Sequence, residues 1–356
     1  MLAPALASPA VPSHAYLFHG PGGSGKRAVA RELAAVLLSE GAPDPDNARA
    51  RVFSGVHPDL TWVTPSGAHE ILVSDIDGPV ILAASRTPFE SSRRVFVIER
   101  ADELGDEAAN RMLKTLEEPP PFVHLILLTD RLGEVLPTIR SRCQSVRFEA
   151  PDEADAVAEL TGAGVEPETA IACVRLALQD SEHARELAGE DGRALRDAAQ
   201  RYAEAAVTGQ MAAQRPWLDV LKAVRARGEL TEIALRERAR AELEMTARKD
   251  RKRTENEWND RVRRVRRRVQ TGALDLALQL VSLWFSDLAA LAWGAGDLVR
   301  NADRLAELSA HPGLEPARLL AAIELVEETR RRFELNVSEE LACEALAYRL
   351  DEVLTR

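Results

Sequence analysis

Two patterns of apolar and polar residues divide this chain. Up to about residue 150, short, mostly apolar runs alternate with segments whose apolar residues recur every three or four positions. The runs Ala15–His19, Leu60–Val63, 95–98, 124–128 and 146–148 read as strands. Between them, Lys26–Ser39 places Val29, Leu33, Val36 and Leu37 at helical spacing, 76–84 reads as part of a helix, and 106–118 reads as a helix stopped by Pro119, Pro120 and Pro121. Apolar strands separated by helices predict a parallel sheet covered on both faces. After Pro151 the strand signal stops. Residues 152–208 predict short helices broken at Gly162, Gly164 and Gly189. Helical periodicity then runs to the end: one long charged helix over 230–270, followed by 274–293, 316–333 and 338–354. The expected fold class is α/β followed by all-α, with boundaries 1–150, 151–208 and 209–356.

Composition narrows the function classes. The 356 residues can bury more than one core. A net charge of −11 argues against a chain that coats itself with DNA, while leaving room for a local basic patch. Cys143, Cys173 and Cys343 lie far apart with no C-x-x-C pair, so a zinc site built on clustered cysteines is not expected, and the usage fits a reducing cytosol. The first thirteen residues lack the basic start and apolar core of a leader. The most apolar late stretch, 274–291, contains Asp275 and Asp287 and reads as a buried core helix, not a membrane span.

The chemistry gathers at two strand ends. Gly20-Pro21-Gly22-Gly23-Ser24-Gly25-Lys26 follows a strand and opens a helix, the setting a phosphate loop requires. Glycines let backbone N–H groups turn toward phosphate oxygens, the helix N-terminus adds partial positive charge, and Lys26 adds a full one. The alternative is a Gly-rich turn without a ligand. A hydrolysing loop carries Ser or Thr after the lysine to hold Mg²⁺, and here Arg27 stands there. A guanidinium has no acceptor for a cation. Likewise, the apolar strand 95–98 leads into Glu99-Arg100, where a metal-binding Asp and a water-activating Glu are needed. Arg100 stays protonated and cannot act as a base. ATP hydrolysis by this chain is therefore not expected, and binding of ATP or ADP at the loop is left open. Asp102 reads as a local structural residue.

The segments HAYLFHGPGGSGKR, HPDL, ADELGDEAANRMLKTLEEPP and LPTIRSRCQ resemble the delta-prime family of bacterial DNA polymerase III clamp-loader subunits, which are AAA+ proteins. The resemblance covers residues 14–150 and, more loosely, the helical remainder. It implies an AAA+ sheet domain, a small helical lid over 151–208 and a helical collar over 209–356 that joins subunits. It implies that Arg142, in Ser141-Arg142-Cys143, projects into a neighbouring subunit's ATP site, where a planar, permanently charged group can stabilise a transferring phosphoryl. Arg140 competes for that role, and the alternative is that Arg142 only caps its segment or pairs with Glu118. Thr129 matches the first sensor position, and Arg185 is a candidate for the second. The implied partners are gamma/tau and delta subunits in a cytoplasmic hetero-oligomer, with the beta sliding clamp and primed DNA met through the complex; no membrane and no enzymatic activity of its own are expected. A gamma/tau-like motor using Lys26 and Glu99 is the alternative. The chain departs from the family in lacking the zinc-binding cysteines over 40–56, in its short segment before Ala15, and in the changes at Arg27 and Arg100. Residues 248–268 carry eleven Lys or Arg against four Asp or Glu. That run is either a face for DNA phosphates or an acidic partner, or a solvated helix balanced by Glu232, Glu237, Glu242 and Glu244.

Overall fold

The computed structural model describes residues 12–67, 70–178, 180–245, 248, 251–311, 313–333 and 338–355. It divides into two compact units, Met1–Ala150 and Pro151–Arg356. Most residues ahead of the first strand lie outside the described ones, and with them the expectation about that segment.

The first unit is a five-stranded parallel sheet in the order β2-β3-β4-β1-β5, built from β1 (Ala15–His19), β2 (Leu60–Val63), β3 (Arg94–Ile98), β4 (Val123–Thr129) and β5 (Gln144–Arg147). The inner strands serve two cores at once. Phe96, Ile98, Leu125 and Leu127 point to one face, and Val95, Val97, Ile126 and Leu128 to the other. That period-two division is why the apolar runs are continuous. Helices α1 (Lys26–Ser39) and α2 (Pro45–Phe53) supply Leu33, Leu37 and Val52 to the second face. The first face is covered by α3 (Val73–Ile76), α4 (Asp106–Glu117) and α5 (Pro137–Arg140), through Ile76, Met112, Leu116 and Ile139. The helix expected over 76–84 is instead α3 running into a wide π-helical turn at Asp77–Leu82. Pro79 lies in that turn and has no amide for a regular ladder. The last strand lies earlier than the expected 146–148, because β5 is an edge strand with a mostly exposed, polar sequence that carries no apolar run.

The His57-Pro58-Asp59-Leu60 segment proves to be a staple. Asp59 is fully buried and its carboxylate accepts from the backbone N–H groups of Phe89 (2.6 Å), Glu90 (2.9 Å) and Ser91 (2.9 Å). The Asp59 N–H donates to His57 Nδ1 at 3.2 Å, so the imidazole is neutral and Nε2 carries the proton that faces Glu90 Oε1, 3.2 Å away. Burial first, and then Arg51, hold the His57 pKa below its ordinary 6.5.

The second unit is helical. It comprises α6 (Glu153–Gly162), α7 (Pro167–Leu176), α8 (Ser181–Ala188), α9 (Glu190–Val207), α10 (Met211–Gln214), α11 (Trp217–Met245), α12 (Arg251–Ala292), α13 (Leu305–Ser309), α14 (Pro316–Arg332) and α15 (Glu339–Thr355). The single helix expected over 230–270 is corrected to two antiparallel ones, α11 and α12, and the second continues without a break through the stretch expected to begin at 274. Glu242 accepts from Trp258 Nε1 at 3.0 Å and Glu232 from Arg266 at 2.8 Å, and Gly228 lies so close to Gln270 that a Cβ there would meet its Cγ at 2.7 Å. No Gly or Pro occurs between 229 and 271 to mark the reversal. One continuous core runs from Ala156 to Leu354, with helices before and after residue 208 both contributing, so no gap in packing marks that position. Among the described residues, α12 is the one helix long and apolar enough to cross a bilayer, yet most of that stretch is buried in this core. Asp287 within it is fully buried and accepts from the Arg300 N–H (3.1 Å), the Asn301 N–H (2.8 Å) and Asn301 Nδ2 (2.8 Å). Those bonds reconcile the carboxylate with an apolar helix.

Replacing Asp59 with Ala should destabilise the first unit by about 2 kcal/mol or more, because three backbone donors lose a charged acceptor; urea unfolding followed by circular dichroism checks this. Stability should also fall with pH. The unfolded chain takes up a proton at His57 as pH drops through 6.5 while the folded chain resists, so that contribution is full above 6.5 and lost below it. His57→Gln should therefore flatten the decline in urea midpoint between about pH 7.5 and 5.5.

Candidate functional site

The loop after β1 is shaped by close backbone approach. Gly20 has φ of 151°, and a Cβ on it would lie 2.2 Å from the Phe148 carbonyl oxygen, so no other residue fits. Gly25 (φ 82°) turns the chain into α1, which has no side-chain cap at its N-terminus. The structure gathers Gly20, Gly22, Gly23, Ser24, Gly25 and Lys26 at the carboxyl end of β1. Thr129 is there as well, at the end of β4, because His19 and Thr129 are register partners.

Lys26 is 6% exposed and spends its donors inside the protein. Its Nζ donates to the Gly20 carbonyl (2.8 Å), the Pro21 carbonyl (2.6 Å) and Ser24 Oγ (3.2 Å), and pairs with Asp130 Oδ1 at 2.8 Å. Three ammonium protons are thus shared among four acceptors.

Arg27, one of the two positions expected to depart from a hydrolytic site, meets Glu99. Arg27 Nε pairs with Glu99 Oε1 at 2.7 Å, and the same oxygen accepts from Trp62 Nε1 at 2.5 Å. Arg31, one turn after Arg27 on α1, lays its guanidinium 4.9 Å from the centre of the Trp62 ring. The cluster ties α1 to β2 and to the end of β3. A divalent cation does not fit this donor set: Glu99 is committed to a guanidinium and an indole, and Arg27 brings positive charge where the metal would lie. Among the described residues, no group of three or more His, Cys, Asp or Glu is placed to hold a metal. Arg100 has a left-handed φ of 53° and pairs with Glu103 at 2.6 Å.

Thr129 Oγ1 donates to Asp102 Oδ1 at 2.7 Å and accepts from the Arg131 N–H at 3.0 Å; Arg131 Nε donates to Asp102 Oδ2 at 3.1 Å. Asp102 is therefore a structural acceptor between the segments that follow β3 and β4. A cavity of about 540 Å³ opens beside the loop, lined in part by His19, Pro21, Asp130, Arg147 and Phe148. Burial, then Arg147, Arg140 and Lys26, hold the His19 pKa below 6.5.

Arg142 stands apart from this group. Its Nε donates to Glu117 Oε1 at 2.8 Å and its Nη1 to the Thr138 carbonyl at 2.9 Å and Ser141 Oγ at 3.2 Å. Its acidic partner is Glu117, not the expected Glu118, and its side chain is one-third exposed. Arg140 is exposed. The adjacent Cys143 thiol is pushed up to about 11 by burial, which makes it a packing residue, not a nucleophile. In the second unit, Arg185 pairs with Glu159 at 2.7 Å. Sequence reasoning missed Arg31, Trp62 and Asp130. Asp130 was signalled only by adjacency to Thr129, and Trp62 becomes relevant because the sheet places β2 beside β3.

The family described as "DNA polymerase III, delta subunit" matches residues 4–152. The chain is 39% identical over 141 residues to DNA polymerase III subunit delta' of Bacillus subtilis, a match covering 38% of this chain and 42% of that protein. It is 37% identical over 140 residues to the subunit delta' of Pseudomonas aeruginosa, covering 37% of this chain and 42% of that protein. It is 36% identical over 144 residues to the Bacillus subtilis subunit tau, covering 38% of this chain and 24% of that protein. The matches thus span less than half the length of these relatives, and the family match over 4–152 covers the sheet unit with its glycine loop. By this sequence match, the chain is similar, over its first unit, to the family described as DNA polymerase III delta subunit, and it shares part of its length with proteins named delta' and tau.

Proposed function

We propose that the chain acts in DNA replication as a delta-prime-type clamp-loader subunit that does not hydrolyse ATP. The observation that carries this reading is the Arg27–Glu99 ion pair. It neutralises, within the protein, the two positions from which a hydrolysing relative holds its metal, while Arg100, at the water-activating position, pairs with Glu103. Lys26, bound by its own loop and Asp130, fits the same reading. If ATP or ADP meets this loop, it does so without turnover.

In this reading Arg142 acts in trans. It is held by Glu117 and the Thr138 carbonyl yet remains partly exposed, so its guanidinium is oriented for a surface and not for the chain's own loop. The proposed recipient is the ATP site of a gamma/tau neighbour, in a cytoplasmic hetero-oligomer that also includes a delta subunit. That assembly would load the beta sliding clamp on primed DNA. Residues 151–208 would serve as lid and 209–356 as subunit-joining collar.

The isolated chain with Mg²⁺ and ATP should release phosphate no faster than a heat-denatured control. Steady turnover at about 1 per second or more, the scale of a working phosphoryl-transfer site, would replace this reading with the gamma/tau-like motor. In an assembly reconstituted with gamma/tau and delta subunits, Arg142→Ala should keep its fold by circular dichroism and lower DNA-stimulated ATPase at the neighbouring site by about tenfold or more. A fully active mutant assembly would remove the trans role.

A further inference from the structure

Helices α11 and α12 extend past the helical core as an antiparallel arm. Beyond Gly228, α11 buries only Ala239 among its described residues, and α12 before residue 273 buries only Thr254 and Val262. The register set by Glu232–Arg266 and Glu242–Trp258 pairs Ala239 with the Val262 region, so the buried surface is the seam of a two-helix coiled coil. From Gly228 to Met245 the arm is about 25 Å long.

Its charge is opposite to that of the chain. Residues 229–268 hold fourteen Lys or Arg against nine Asp or Glu, a balance of +5 within a total of −11. Twelve of the fourteen are Arg. An arm that needed only solubility could use hydrated lysines, whereas guanidinium forks match phosphate oxygens.

The two flanks of the arm differ. On one, Glu232 accepts from both Arg236 and Arg266 at 2.8 Å, closing that side with internal pairs. On the other, Arg261, Arg264 and Arg268 recur at i, i+3 and i+7, and Arg238 lies across from them on α11, one turn before Glu242. Arg261 rests 5.2 Å over the Trp258 ring, and Glu242 is engaged by Trp258 Nε1. Arg238 is exposed, while Arg264 is half-buried and its Nε has no hydrogen-bond partner.

We infer that this flank binds the phosphate backbone of duplex DNA, without reading its sequence, through Arg238, Arg261, Arg264 and Arg268. The inference does not rest on the proposed function, because it needs neither nucleotide nor partner subunits.

The test is fluorescence anisotropy of the full chain alone with a labelled 25-base-pair duplex. Binding with Kd of about 10 µM or tighter is expected at 50 mM salt, weakening about a hundredfold by 200 mM, since four phosphate contacts give a log–log slope near −3.6. R238Q/R261Q/R264Q/R268Q should weaken it at least about tenfold with unchanged circular dichroism and urea midpoint. The opposite-flank variant R236Q/R263Q should stay within about twofold of wild type. A wild-type chain that ignores the duplex but holds polyglutamate would overturn the inference in favour of an acidic protein partner. Failure to bind either polymer, a quadruple variant that binds like wild type, or equal loss from both variants would overturn it as well.

Discussion

Every residue of β4 is buried, and that constraint organises the first unit. A parallel strand buried on both faces cannot offer a side chain to solvent along its length, so chemistry is confined to its ends. The carboxyl ends of β1, β3 and β4 therefore carry all the polar groups of interest: the glycine loop, Glu99, and Thr129 with Asp130. The sheet order, with β1 between β4 and β5, is what makes Thr129 the lateral neighbour of the loop and lets Phe148 press against Gly20.

At those ends the charges are paired among themselves. Lys26 is bound by two loop carbonyls, a serine and Asp130; Arg27 by Glu99; Arg131 by Asp102. A buried or half-buried charge needs a counter-charge or hydrogen bonds wherever it stands. In a site built around a metal, the metal supplies that balance. Here Arg27 supplies it covalently, as part of α1, with Trp62 donating to the same carboxylate. The cluster is a structural joint between a helix and two strands. Proteins named delta' and tau are both similar to this chain, and the Arg27–Glu99 pair lies within the residues the family match covers.

The second unit distributes charge differently. Where carboxylates enter its core, as at Asp287, backbone amides surround them. Tyr202, fully buried, gives its hydroxyl proton to the Cys343 carbonyl at 2.8 Å and so links helices that are distant in sequence. Away from that core the α11–α12 arm has little to bury, and its sequence is correspondingly charged. The thin seam of Ala239 and Val262 suffices because each helix propagates from a well-packed base, which removes the nucleation cost an isolated hairpin would carry.

The sequence by itself determined the strands with two buried faces, because burial on both sides leaves continuous apolar runs. It determined the loop, through glycine spacing between a strand and a helix, and it placed a cation after Lys26 and another after Glu99. It did not reveal that Arg27 and Glu99 are partners, since strand order, not chain order, brings α1, β2 and β3 together. Nor did it fix where β5 begins, since its exposed edge leaves only a weak apolar pattern, or the choice of Glu117 over Glu118 for Arg142, which depends on where α4 ends. The reversal between α11 and α12 was invisible because no glycine or proline marks it. Periodicity reports which face of a helix is apolar, but only the tertiary structure decided that the partner of that face is the next stretch of the same chain.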